Sequence, residues 1–104
     1  MQFLFDSRGN HVANEVNGRL HSPGGKNVGH LLASLGVFVD LQGRYLGEVV
    51  RRNRLMQNRR SPHKETAFCC NGDYGDAGNY GCPGSPGSVG KVAGHTDVKA
   101  DRLQ

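Results

Sequence analysis

A segment of about 16 residues recurs four times in the first sixty residues of the chain. The repeats begin at Leu4, Leu20, Phe38 and Leu55, so the spacings are 16, 18 and 17 residues. In each of the first three repeats an Asp or Ser precedes a Gly by three residues, in the pairs Asp6 and Gly9, Ser22 and Gly25, and Asp40 and Gly43. A short acceptor side chain followed by glycine is typical of a tight turn. Each unit is therefore predicted to be a β-hairpin with an inward-facing apolar residue before the turn.

The residues that follow each turn also recur. An apolar residue returns at Val12, Val28 and Leu46, and it is followed by a small residue at Ala13, Gly29 and Gly47. Because single hairpins are only marginally stable in water, the four should bury their faces against one another. The repeat predicts an all-β fold of four hairpins around a pseudo-four-fold axis, since crowding at an axis selects small residues; a meander sheet of eight strands is the alternative. The fourth repeat departs from the pattern, with Arg60 at the Gly position and Lys64 at the small position.

The turn pattern resembles that of a known family. The residues Phe5-Asp6-x-x-Gly9-x-x-Val12-Ala13, together with Gly43-Arg44-Tyr45-Leu46-Gly47-Glu48, are similar to those of the bacterial four-fold beta-flower proteins over about residues 1–60. The resemblance implies an all-β fold of four hairpins, and a glycine-rich tail as in related members. It implies no activity.

Charge and glycine content divide the chain near Ser61-Pro62. Residues 1–60 hold nine Lys/Arg against four Asp/Glu, whereas residues 61–104 hold four against five, which gives the chain its net charge of +4. Eight of the 16 glycines fall in the shorter second part. We therefore expect a four-hairpin domain over 1–60 and an extended glycine-rich tail over 61–104.

Glycine recurs at every third position of this tail, in triplets that cover residues 72–92. The glycines are Gly72, Gly75, Gly78, Gly81, Gly84, Gly87 and Gly90. A period of three matches the polyproline II helix, and one edge of glycines lets another backbone approach closely. Seven triplets with only Pro83 and Pro86 are too few and too poor in proline for a collagen helix. The prediction is an extended, polyproline II-like segment packed on the β body or on a neighbouring chain; a flexible linker is the alternative.

No motif points to catalysis, a metal or a cofactor. The stretch 84–92 lacks the second Gly and the Ser/Thr of a phosphate-binding loop, because Ser85 and Val92 occupy those positions. Adjacent thiols at Cys69 and Cys70 cannot easily bind one zinc ion. The chain is therefore predicted to be no enzyme and to hold no metal. The cysteines have two possible states: all three thiols are free, or Cys82 pairs with Cys69 or Cys70. The same region also contains His63 and His95, which are residues of a metal-binding type.

Six cations lie within fourteen residues with no acid between them: Arg51, Arg52, Arg54, Arg59, Arg60 and Lys64. Such a cluster could bind a phosphate backbone. No aromatic residue for base stacking lies in 48–64, which weakens a single-strand interpretation. The alternatives are a solvated hairpin, or pairing with acids of a neighbouring subunit such as Asp73 and Asp76.

The favoured function is a non-enzymatic structural or interaction module that self-assembles into a homo-oligomer. A body of about sixty residues without disulfide pairs or metal has a small core, and oligomerisation is a common remedy. The alternative is a small basic protein that binds nucleic acid or another polyanion. No small-molecule substrate is indicated. No apolar stretch approaches the ~18 residues of a membrane span, Asp6 comes too early for a signal peptide, and three cysteines are an odd count. A cytoplasmic location is therefore predicted.

Overall fold

The computed structural model describes residues 1–59, 81, 83–90 and 92–103. These residues form eight β-strands and a short 3-10 helix at Ala100–Leu103. The strands are β1 (Gln2–Phe5), β2 (His11–Val16), β3 (Arg19–His21), β4 (Asn27–Leu32), β5 (Val37–Asp40), β6 (Tyr45–Val50), β7 (Arg54–Asn58) and β8 (His95–Asp97). The all-β class predicted from the repeats is confirmed.

The strands follow one another through a single sheet in sequence order, and successive strands pair antiparallel. A parallel bridge between Phe5 and Arg54 joins β1 to β7, so the first seven strands form a closed ring. β8 pairs with the end of β7. The four hairpins are therefore β1–β2, β3–β4, β5–β6 and β7–β8.

A β-bulge lies at the same place in each of the first three hairpins. In the first, Leu4 pairs with Ala13 and the next pair joins Phe5 to His11, so Val12 is the extra residue. The same shift makes Val28 and Leu46 the extra residues of the second and third hairpins. Such a bulge adds one unpaired residue to a strand. It explains why an apolar residue and a small residue stand next to each other in every repeat instead of alternating.

The four repeat-start residues share one core around the pseudo-four-fold axis. Leu4, Leu20 and Leu55 are 0% exposed and Phe38 is 2% exposed. The other members of this cluster are Ala13, Val28, Leu46, Val98 and Leu103. The small residue that follows each bulge is required because another backbone lies against it. A Cβ on Gly29 would collide with the carbonyl oxygen of Val39, and one on Gly47 would lie 2.7 Å from the carbonyl oxygen of Met56.

The fourth hairpin is completed by the C-terminal residues. β8 pairs with β7 through Met56–Asp97 and Asn58–His95, and the buried Val98 belongs to the same core as Leu55. The repeat spacing predicted Lys64 at the small-residue position of the fourth hairpin, and Lys64 lies outside the described residues. The division at residue 60 stays a prediction, but residues 95–103 belong to the sheet and core that residues 1–59 build.

Residues 83–90 of the tail form no strand or helix and are exposed except at Pro83. Gly81, Gly87 and Gly90 have φ angles of +89°, +87° and +70°. Polyproline II requires a φ near −75°, so the backbone departs from the predicted geometry at these three glycines. Gly72, Gly75 and Gly78 lie outside the described residues. Among the residues that the structure describes, no helical segment has the length and apolarity needed to cross a bilayer.

Candidate functional site at the turn face

Successive strands run in opposite directions, so the turns that follow β1, β3 and β5 and the end of β7 all lie at one end of the closed sheet. We call this end the turn face. It consists of the turns 6–10, 22–26 and 40–44 and of the junction where the Arg59 amide donates to the Gly94 carbonyl at 2.9 Å. The three turns have one backbone pattern, in which the glycine amide donates to the carbonyl of the turn's first residue at 2.9–3.2 Å. The turn face is therefore where the four repeats come together.

The repeated polar residues build these turns. The Asp6 carboxylate accepts hydrogen bonds from the amides of Arg8 and Asn10, at 3.0 and 2.8 Å. The Asp40 carboxylate accepts equivalent bonds from Gln42 and Arg44, and the hydroxyl of Ser22 accepts one from Lys26. The following glycines have positive φ angles of +92° at Gly9, +99° at Gly25 and +83° at Gly43, as the repeat predicts.

Hydrogen bonds within its own turn stabilise the ionised carboxylate of Asp6. Burial raises the pKa of this carboxyl, but the hydrogen bonds from the backbone and side chain of Asn10 and from the Arg8 amide outweigh burial and hold the pKa below its usual value. The Asp6 carboxylate is therefore committed to the fold.

The first turn is also the point where the chain's two ends meet. The amide and hydroxyl of Ser7 donate to the two carboxylate oxygens of Asp97 in β8, each at 2.8 Å. The amide of Val89 donates to the Ser7 carbonyl at 2.8 Å. A Cβ on Gly9 would lie 2.9 Å from the carbonyl oxygen of Gly87. Gly9 thus permits the close approach of the tail to the body.

The tail glycines have free space on their own side. Within the described part of the chain, a Cβ added at Gly81, Gly84, Gly87 or Gly90 would meet nothing within 4 Å. The predicted glycine edge is therefore not used for packing against the described body at these four positions.

A cleft of about 410 Å³ opens between the first turn, the tail and the β7–β8 hairpin. Its polar lining includes Arg8, Arg59, Ser88 and Thr96, and its apolar lining includes Met56 and Val92. Both arginines are exposed. Across residues 1–59 and the described part of the tail, neither arginine makes an ion pair, whereas Arg44 and Arg102 both pair with Asp40. The cleft therefore combines two exposed guanidinium groups with hydroxyls and an apolar wall, and the charge of Arg8 also helps to lower the pKa of Asp6.

His95 lies at the edge of the cleft with both ring nitrogens in contact. Its Nδ1 donates to the carbonyl of Ala93 at 2.9 Å, and its Nε2 lies 3.5 Å from a carboxylate oxygen of Glu48. The described ranges bring no three His, Cys, Asp or Glu side chains together in a way that could hold a metal ion. The predicted thiols and His63 lie outside the described residues.

The basic cluster predicted over 51–64 is divided between different parts of the fold. Arg51 and Arg52 form the β6–β7 turn, at the end opposite the turn face, and both are exposed. Arg54 is only 4% exposed, and its guanidinium donates to the Asp6 carbonyl at 3.0 Å, so it stabilises the junction of β1 and β7. Arg59 lies on the turn face. Arg60 and Lys64 are outside the described residues, so the described members form no single patch.

Comparison of the chain with protein-family models, with curated proteins and with solved structures gives no match. The sequence pattern found the turn residues but missed the cleft. Arg8 was within the first repeat and Arg59 within the basic cluster, yet no local signal joined them, because the cleft depends on the pairing of β8 with β7.

Proposed function

We propose that the chain is a non-enzymatic structural or interaction module that self-assembles into a homo-oligomer through its glycine-rich segment. In this proposal residues 83–90 make contact with the same segment or with the body of another copy. The module belongs to the beta-flower family and acts in the bacterial cytoplasm; the turn pattern supports the family, and the odd number of cysteines supports the compartment.

The observation that carries the proposal is the open space beside the tail glycines. Gly84, Gly87 and Gly90 are exposed, and nothing in the described part of the chain lies within 4 Å of a Cβ added to any of them. Backbone amides and carbonyls need hydrogen-bond partners when they become buried. A glycine edge lets a second backbone come close enough to supply them.

The alternative is a basic protein that binds nucleic acid through residues 51–64. It has weaker support, because Arg54 is buried in the sheet junction while Arg51 and Arg59 lie at opposite ends of β7. Binding of such a polyanion would fall steeply with added salt.

Sedimentation equilibrium of the full chain tests the proposal. Gly84→Val is the informative variant, because Gly84 lies outside the left-handed region and an added Cβ meets no described atom within 4 Å. Gly24→Val is the matched control, since Gly24 also lies outside that region and its nearest contact is Ser22 Oγ at 4.0 Å. We expect a mass that is a multiple of 11.2 kDa for the unmodified chain and the control, and a smaller mass for Gly84→Val.

A monomer at micromolar concentration would overturn the proposal. So would a Gly84→Val chain with an unchanged mass and unchanged concentration dependence. Nuclease treatment before the measurement excludes a mass that bound nucleic acid contributes.

A further inference from the structure

We propose that the cleft between the first turn, the tail and the β7–β8 hairpin binds the phosphate group of a small-molecule ligand. The site shares Ser88 with residues 83–90, the segment proposed to contact another copy, whereas Arg8, Arg59 and Thr96 lie outside that segment. It is formed by Arg8, Arg59, Ser88 and Thr96, with Met56 and Val92 beside them.

The charged side chains of the cleft favour an anion, because its two guanidinium groups outnumber its one carboxylate. Arg8 and Arg59 come from different repeats, line the same cleft and are exposed. The cleft also contains one acid, Asp97, but both of its carboxylate oxygens accept hydrogen bonds from Ser7. Two guanidinium groups match a phosphate monoester, which carries close to two negative charges at neutral pH. Arginine forms paired, charge-assisted hydrogen bonds to phosphate oxygens.

Three other arginines of the fold are already engaged, whereas Arg51 and Arg52 are exposed at the opposite end of the sheet. Arg44 and Arg102 pair with Asp40 at 3.2 and 3.5 Å, and Arg54 donates to the Asp6 carbonyl. Arg8 and Arg59 have no such ion-pair partner in the described part of the chain. Because surface ion pairs compete with a ligand for the same donors, arginines without a close ion pair are the ones available to an incoming anion.

The size and lining of the cleft favour a small molecule. Its volume of about 410 Å³ lies within the range of about 300–1,000 Å³ that is usual for ligand pockets. Thr96 is exposed, and its hydroxyl adds a hydrogen-bonding group. Met56 and Val92 are largely buried, at 2% and 7% exposure, and form the apolar base of the cleft beneath an organic group attached to the phosphate.

Isothermal titration calorimetry of the full chain with glycerol 2-phosphate, and separately with inorganic phosphate, tests the site. We expect saturable binding of one ligand per chain. Arg8→Gln and Arg59→Gln should each weaken it about tenfold or more, as expected for loss of a charge-assisted hydrogen bond. Arg51→Gln is the matched control, because Arg51 is an equally exposed arginine at the opposite end of the sheet. Tighter binding of glycerol 2-phosphate identifies an organic phosphate as the ligand class, and equal binding identifies free phosphate.

No detectable binding at about 10 mM ligand, which is tenfold above a weak Kd of about 1 mM, would overturn the proposal. So would an effect of Arg51→Gln as large as that of Arg8→Gln. A single-stranded oligonucleotide provides the last arm: if it binds while glycerol 2-phosphate does not, the cleft is no small-molecule site. Thermal melting of each variant keeps the result interpretable, and Arg59→Gln serves alone if Arg8→Gln fails to fold.

Discussion

Ser7 and Asp97 lie 90 residues apart in the chain, and two hydrogen bonds of 2.8 Å join them. The Ser7 amide and hydroxyl each bind a different carboxylate oxygen. Because Ser7 lies in the first turn and Asp97 in the last strand, this contact connects the first hairpin to the fourth. A separate hydrogen bond, from the Val89 amide to the Ser7 carbonyl, holds the tail beside the first turn.

Removal of the Ser7–Asp97 contact should lower the free energy of unfolding. Hydrogen bonds to a charged group contribute about 1.5–3 kcal/mol, and partial exposure places this contact at the lower end. Urea denaturation of Ser7→Ala, Asp97→Asn and the double variant should give a coupling energy of about 1 kcal/mol. Ser34→Ala, on an exposed loop, is the control. Additive single effects would show that the two side chains do not interact.

Addition of a methyl group at Gly29 or Gly47, the small residues that follow two of the bulges, should destabilise the sheet. A Cβ at Gly47 would lie 2.7 Å from the Met56 carbonyl oxygen, and one at Gly29 would collide with that of Val39. Overpacking of this kind costs about 1–3 kcal/mol. Gly29→Ala and Gly47→Ala should both lower the Tm, whereas Gly24→Ala, with room for a methyl group, should leave it within a few degrees. Equal melting of all three chains would contradict the packing described for these two glycines.

The turn glycines should resist substitution for a different reason. Gly43 has a φ of +83°, and a left-handed conformation costs an L-residue about 1–2 kcal/mol. Gly43→Ala should lose about that much stability in thermal or urea denaturation. Gly43→Asn should lose less, because asparagine tolerates this conformation better. An asparagine variant that is less stable than the alanine variant would argue against strain as the cause.

Asp6 should make the fold sensitive to acid. Its pKa is lower in the folded chain than the usual value of 3.8, so the folded state binds fewer protons than the unfolded state. The stabilisation is therefore complete above about pH 4 and is lost as the pH falls through the lowered pKa. Urea denaturation between pH 2 and 7 should show a smaller loss at acid pH for Asp6→Asn than for the unmodified chain. Asp101→Asn, an exposed acid, should retain the loss of the unmodified chain.

The sequence predicted the turns of the first three hairpins, because each carries its own local turn chemistry. Asp6, Ser22 and Asp40 bind amides inside the turns that they open, so their signal survives in any tertiary context. The fourth hairpin has no such signal. Its second strand begins at His95, and a search at constant repeat length looks for it near Lys64.

The backbone conformation of the tail and the position of the cleft could not be predicted from the sequence, for related reasons. A period of three predicts one backbone geometry for every triplet, but glycine is also free to adopt a positive φ, as Gly87 and Gly90 do. Arg8 and Arg59 face one cleft only because β8 returns to β7. No local pattern encodes that return, since strand pairing between distant segments depends on the assembled core.

The pairing of β8 with β7 closes the fourth hairpin and positions both the tail and the cleft, so the proposed sites depend on it. Nuclear magnetic resonance of the full chain tests it directly through cross-strand nuclear Overhauser effects. We expect contacts between Met56 and Asp97 and between Gln57 and Thr96, with intensities like those between Gly29 and Asp40 in the β4–β5 pair. Absence of the β7–β8 contacts in a chain that retains the β4–β5 contacts would show that β8 does not pair with β7.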